Sequence, residues 1–233
     1  MEGKTPKNLY TEGYYYHSVA VDVVIFTIEN GELKVLLVTR PRNPFKGSPA
    51  LPGGVLRVGE KTRDAAIRIL REKAGLENVD VYVEQLYTFD DMGRDPRGAM
   101  MSVGYFALVP YDKISIVSTP ETQDPRFVSV RHAKELAFGH ENILSYAMER
   151  LRAKIEYSNI VFSLVPKFFT FTELQNVYEI VFGKKLDKRN FRKKVMKLGL
   201  IKKTGKTVIR GRQRPAALYK FVSEKPKTFK NSF

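Results

Sequence analysis

The stretch Leu51-Pro52-Gly53-Gly54-Val55, running on to Leu76, constrains this chain more than any other. Its two adjacent glycines permit a turn, and a helix is predicted from about Lys61 to Ala74, ending at Gly75 as a C-terminal cap. A glycine-rich approach to a helix start suits an anion, because first-turn N–H groups and the helix dipole both favour negative charge. Ala66, Leu70 and Ala74 supply an inward stripe, while Ile69 and Lys73, four residues apart, share one helix face.

Gly54, Glu60, Arg68, Leu70, Glu72, Gly75 and Leu76 fall in the register G-x5-E-x7-R-E-U-x-E-E-x-G-U, with U a bulky apolar residue, and the stretch resembles the Nudix box. Two positions depart from it: Ile69 and Lys73 stand where the family carries its first and last helical glutamates. Magnesium takes hard oxygen ligands and is commonly held by one or two carboxylates together with substrate phosphates. In the hydrolases that the resemblance implies, the metal neutralises a diphosphate and helps to generate the attacking hydroxide. Isoleucine offers no oxygen. Lysine puts a positive charge where the cation would sit, and an ammonium attracts a diphosphate without activating a water.

The expectation is a pocket that binds and does not cut, with no catalytic residue, no metal and no cofactor, and with Glu60, Arg68 and Glu72 as residual box residues. Two alternatives stay open: Ile69 and Lys73 as ordinary packing and surface choices, or a magnesium site rebuilt from Glu60, Glu72, Asp90 or Asp91. Arg68 is expected to hold Glu60 or Glu72 as a structural ion pair.

Charge divides the 233 residues in two. Residues 151 to 233 hold 21 Lys+Arg against 5 Asp+Glu, whereas residues 1 to 150 hold 19 against 20, so the net charge of +15 lies in the last third. Such a field on a small domain points to a polyanion, nucleic acid before anionic membrane. The chain has no cysteine, which excludes disulfides, zinc-thiolate sites and a thiol nucleophile. Met1 to Asn8 is polar, and no run nears the roughly 18 apolar residues that span a bilayer; even Ser18 to Ile28 is interrupted by Asp22. A cytoplasmic protein without a membrane partner is expected. His17, His132 and His140 are too scattered for a metal cluster and read as structural.

Val19 to Ile28 and Leu33 to Thr39 are predicted to pair as a hairpin through Asn30-Gly31. A loop from Arg40 to Gly47 leads into the box, and strands Val81 to Phe89 and Met100 to Val109 flank the loop Asp90 to Gly98. That loop is similar to one in the ADP-ribose-type Nudix branch, making Arg94 and Arg97 candidate contacts; solvated arginines beside a turn capped by Asp95 are the other reading. Pro110 to Arg126 reads as irregular, and Asn142 to Ile155 as an amphipathic helix.

In the basic third, Ile160 to Val165 reads as a short apolar helix, and Thr170 to Glu173 is a capping box starting a helix that ends at Gly183. Asp187 caps a further helix, Lys188 to Leu198, with Phe191, Val195 and Leu198 inward. Lys188 with Arg192, and Arg189 with Lys193, face outward. Short strands at Leu200 to Lys203 and Ala217 to Phe221 flank an excursion carrying Arg210, Arg212 and Arg214. This order is that of a winged helix-turn-helix, whose second helix enters the major groove while the hairpin reaches phosphates or the minor groove.

Phe169 to Tyr219, including Asp187-Lys188-Arg189-Asn190-Phe191-Arg192, resembles the C-terminal domain of the Nudix-related transcriptional regulators, and the full resemblance covers about residues 15 to 223. It implies an α+β chain: a Nudix-type α/β/α sandwich with a mixed sheet over residues 1–155, then a winged helix-turn-helix domain over 156–233. It also implies a homodimer on double-stranded DNA and a small effector, ADP-ribose, another NAD-linked nucleotide or a sugar. Arg40, Arg42, Arg57 and Lys73 favour a phosphorylated one, with Gly53 and Gly54 beside it. Arg189 and Arg192 are expected to see bases. Lys188, Lys193 and the wing arginines are expected to hold the backbone, with Asn190 on the same helix. The enzymatic alternative is a magnesium-dependent hydrolase of ADP-ribose or a nucleoside diphosphate derivative with an accessory nucleic-acid module. An RNA-binding Nudix-like protein is a third reading, disfavoured because the basic helix offers no stacking aromatic beyond the inward Phe191.

Overall fold

The computed structural model describes residues 10–11, 14–15, 17–76, 81–91, 93–114, 116, 123–209 and 215–229. A short hairpin of β1 (Tyr10–Thr11) and β2 (Tyr14–Tyr15) precedes β3 (Ser18–Glu29), the strand on which the first part is built. Val21, Val23 and Ile25 of β3 point to one face and Val24 and Phe26 to the other, and all five are fully buried. A strand covered on both faces reads as a continuous apolar run, which is why Asp22 is conspicuous within it.

β3 turns into β4 (Glu32–Thr39) through Asn30 and Gly31, both at positive φ, as a tight hairpin requires. β5 (Pro49–Ala50) pairs with β4, and β6 (Gly53–Val55) pairs antiparallel with β3, Gly53 opposite Asp22. The glycine pair is therefore strand, where a turn was expected. α1 (Thr62–Ala74) ends on Gly75 in the left-handed conformation. Next come β7 (Tyr82–Phe89) and β8 (Met100–Leu108), the latter parallel to β3, so the seven-stranded sheet is mixed, its main path running β5-β4-β3-β8-β7. β9 (Gln123–Ser129) pairs with β4 within and beyond the segment expected to be irregular.

α1 covers one face of the sheet through Ala65, Ala66, Ile69, Leu70 and Ala74. α2 (His140–Tyr157) covers the other through Ile143, Leu144, Ala147, Leu151 and Ile155, completing the α/β/α sandwich. A 3-10 turn at Ile160–Leu164 leads to β10 (Phe169–Thr170), α3 (Phe171–Phe182), α4 (Lys188–Lys197), β11 (Ile201–Val208) and β12 (Ala216–Phe221). β10, β12 and β11 form a three-stranded sheet in that order. Both halves of the Thr170–Glu173 capping box are present. Phe191 of α4 packs against Phe171 and Tyr178 of α3, with centroids at 5.7 and 5.1 Å. The apolar cluster on the α2 face continues unbroken from Val24 and Phe26 to Phe169, Tyr178 and Phe221.

Candidate functional site

The retained box acids are bound by arginines. Arg68 donates to both oxygens of Glu60, at 2.7 and 2.9 Å, and reaches Glu72 at 3.5 Å and the Val55 carbonyl at 3.3 Å. The Arg57 backbone N–H donates to Glu60 at 2.9 Å, and its side chain to Glu72 at 3.1 Å. Arg68 thus holds both acids, and its hydrogen bonds, with that from Arg57, keep Glu60 down at about 2. Ile69 is fully buried between α1 and the sheet, and Lys73 lies half-buried at the cavity described next. This donor set does not fit magnesium: the acids are engaged, one helical ligand position is packed into the core and the other is a cation. Among the described residues, no group of three or more His, Asp or Glu is placed to hold a metal ion.

β3, β6, the loop before β8 and the start of α2 enclose a cavity of about 150 Å³. Arg40, Gly53, Gly54, Lys73, Arg94 and Arg97 line it, six of the eight expected ligand residues. Arg42 and Arg57 are exposed and are not among the lining residues. Asp22 and His140 also line it, and sequence reading missed both. His140 Nδ1 accepts from the Leu51 N–H at 3.0 Å, which leaves Nε2 facing Asp22 Oδ2 at 3.5 Å. The Ser102 hydroxyl donates to the same oxygen, and Arg94 lies 3.9 Å from it. Burial alone would push the Asp22 carboxyl up, but His140, Ser102 and Arg94 outweigh it and hold it below its ordinary value. Asp95 is buried and accepts from both the backbone and the guanidinium of Arg97. Asp95 thus caps the turn and Arg97, though paired with it, stays 47% exposed, as the other reading had it, whereas Arg94 is nearly buried where that reading had it solvated.

Phe138 forms a wall, with the Arg40 and Arg97 guanidiniums 4.3 and 5.2 Å from its ring centroid. It holds φ of 60°, uncommon for a residue with a side chain. Burial, and then the neighbouring Arg97, lower the Arg40 pKa, and the carboxylates of Asp95 and Asp22 offset them only in part.

In the winged part, Asp187 caps α4 by accepting from Asn190 N–H at 2.8 Å, and Lys188, Arg189, Asn190, Arg192 and Lys193 are all exposed. Lys202, Lys203 and Lys206 extend the basic surface along β11. Arg192 turns back onto its own domain, its guanidinium 5.0 Å from the Phe171 ring centroid and 3.3 Å from the Tyr219 hydroxyl. Arg210, Arg212 and Arg214 lie outside the described residues.

Comparison with known proteins matches residues 17–147 to the NUDIX domain and residues 161–221 to the NrtR DNA-binding winged helix domain. An ADPR responsive transcriptional repressor NtrR of Acinetobacter baylyi is 37% identical over 208 residues, covering 88% of this chain and 82% of that one. The chain belongs to the NrtR family of Nudix-related transcriptional regulators. Its family fold extends to the crystal structure of Shewanella oneidensis NrtR complexed with a 27mer DNA, at a TM-score of 0.79 and 32% identity, over 92% of this chain and 99% of that one. The NUDIX domain of the same Shewanella NrtR, complexed with ADP ribose, matches at a TM-score of 0.54 and 33% identity, over 61% of this chain and 94% of that one. The NrtR-type winged helix makes this chain's basic third a DNA-binding domain. Among the described residues, no helix is long and apolar enough to cross a membrane.

Proposed function

We propose that this regulator binds an ADP-ribose-like nucleotide in its Nudix domain without cleaving it, and that occupancy lowers the affinity of the winged domain for its DNA site. The observation that carries the reading is Lys73 at a cavity with Arg40, Arg94 and Arg97, beside retained box acids, Glu60 and Glu72, that are already held by Arg68 and Arg57. A ligand that survives binding reports its own concentration. Repression, a homodimer presenting two basic helices to a roughly palindromic site, a cytoplasmic location and a division of the chain near residue 155 belong to the same proposal. The repressor description of the Acinetobacter relative and the DNA complex of the Shewanella protein support it.

α2 supplies a route between the two functions, since its first residue, His140, faces the cavity. Just beyond its last turn, the Asn159 amide donates to the carbonyls of Ser223 and Lys225 and its oxygen accepts from Lys227 N–H, tying the helix end to the segment that follows β12. Coupling requires unequal effector affinity for the DNA-competent and incompetent arrangements.

Selection of genomic fragments with and without ADP-ribose tests the proposal. The expected outcome is retention of a few sites and their release by the nucleotide; equal, sequence-blind retention in both arms overturns it. A hydrolase remains the second reading because Glu60, Arg68 and Glu72 are kept, and steady magnesium-dependent release of AMP and ribose 5-phosphate from ADP-ribose would favour it.

A further inference from the structure

We propose that Met196 reads a thymine methyl group in the major groove, so that one position of the DNA site is set by an apolar contact from an otherwise cationic helix. This rests on the site-specific DNA binding proposed above and names one side chain that supplies it.

α4 is the second helix of the pair in the winged part, the one that enters the major groove in this class of domain. Of its ten residues six are Lys or Arg, and Phe191 and Val195 are buried. Asn190 belongs to the first turn, where its backbone N–H donates to the Asp187 cap. That leaves Met196, an apolar residue that is 48% exposed. A single exposed methionine is ordinary on most surfaces. On a helix that a duplex covers it is not, because phosphate is matched by the lysines and arginines around it and offers nothing to a thioether.

The helix fixes its direction. Arg189 and Met196 are seven residues apart, which at about 100° per residue brings them within about 20° of one line. Met196 lies about 100° and about 140° around the helix from the buried Val195 and Phe191. Arg192, on the same side, turns back onto the Phe171 ring, 5.0 Å from its centroid, and the Tyr219 hydroxyl, at 3.3 Å. The row left to the groove is Arg189, Lys193 and Met196. α4 spans about 15 Å and the groove is about 12 Å wide, so both ends of that row come within reach of base edges.

Chemistry then chooses the base. Guanine, adenine and cytosine present donors and acceptors on the major-groove edge, whereas thymine adds a C5 methyl group to its one acceptor. Met196 has no N–H or O–H to donate from its side chain, and its unbranched, freely turning chain lets the thioether and terminal methyl settle on an apolar target.

The test is a binding titration of the full chain with a short duplex cut from a genomic fragment that it retains. Each thymine is replaced in turn by deoxyuridine, which keeps the base pair and loses only the C5 methyl. The expected result for wild type is a loss of about fourfold at one thymine or at a symmetry-related pair, the scale of one buried methyl-sized group. Met196→Leu should keep that loss, and Met196→Ala should bind thymine and deoxyuridine alike at the same position. Because each ratio is taken within one preparation, a partly unfolded variant does not distort it. Indifference of the wild type to every replacement, or a loss kept in full by Met196→Ala, overturns the assignment and leaves site-specific DNA binding intact. Equal retention of all genomic fragments by the wild type overturns both.

Discussion

Replacing Lys73 by glutamate reverses one charge at a cavity lined by four cations, Arg40, Lys73, Arg94 and Arg97, and two carboxylates, Asp22 and Asp95. The excess of two positive charges falls to zero. At about 4 Å a pair of unit charges interacts by roughly 1 kcal/mol in water and roughly 4 kcal/mol at an effective dielectric of 20. Reversal counts twice, once for the attraction removed and once for the repulsion added, giving a range of about 2 to 8 kcal/mol. Lys73 is only half-buried, so the lower end applies. That is about a thirtyfold loss of affinity for ADP-ribose at low salt, shrinking as ionic strength shortens the screening length. Lys73→Met should fall between wild type and the reversal. Calorimetric titration at two salt concentrations, without magnesium, reads all three proteins. Lys73→Glu binding ADP-ribose as tightly as wild type would refute the claim that this lysine stands in for a metal.

Other outcomes follow from the same contacts. Phe191→Ala removes a ring packed on Phe171 and Tyr178 and should cost about 3–5 kcal/mol in denaturant unfolding; a loss under 1 kcal/mol would contradict the packing. Arg189→Ala should weaken DNA binding, and a salt slope lower by about one with unchanged site preference would make it a phosphate contact, not a base reader. Glu60 titrates at about 2 in the fold against an ordinary 4.5, so its contribution is complete above pH 4.5 and vanishes as pH falls towards 2. Acid titration of Glu60→Gln should therefore show a flatter loss of stability across that window, and a profile identical to wild type would break the link to Arg68.

Local rules carried much of the fold. A capping box needs only Thr170 and Glu173, a helix stop needs only Gly75, and Asn30-Gly31 suffices for a hairpin, so each was legible within a few residues. β9 was not, because its pairing partner β4 lies about 90 residues earlier and its own sequence, with Pro125 in it, reads as a break. The cavity divided in the same way. Arg40, Lys73, Arg94 and Arg97 were visible as cations near the box, but Asp22 and His140 meet only when α2 docks on the sheet. The one available signal was Asp22 itself, an acid in an apolar strand. Gly53 shows a related limit: sequence gives the missing side chain, and only the partner strand shows what occupies its space. For Arg192, helical periodicity gave the outward face of α4, while its contacts depend on how α4 docks on Phe171 of α3 and on Tyr219 of a strand that closes the domain later.

The unbroken apolar cluster from Val24 to Phe221 has a bearing on how a metabolite is felt at a distance. Two bodies that share one interior melt together, so anything that steadies the first lengthens the life of the second. A nucleotide present at a hundred times its dissociation constant adds about 2.7 kcal/mol to the folded whole. On the proposed function, heat resistance of the DNA reader would rise with metabolite level even as its grip on the operator fell, and cells rich in the signal would keep a larger stock of silent, intact protein ready for the moment the signal drops.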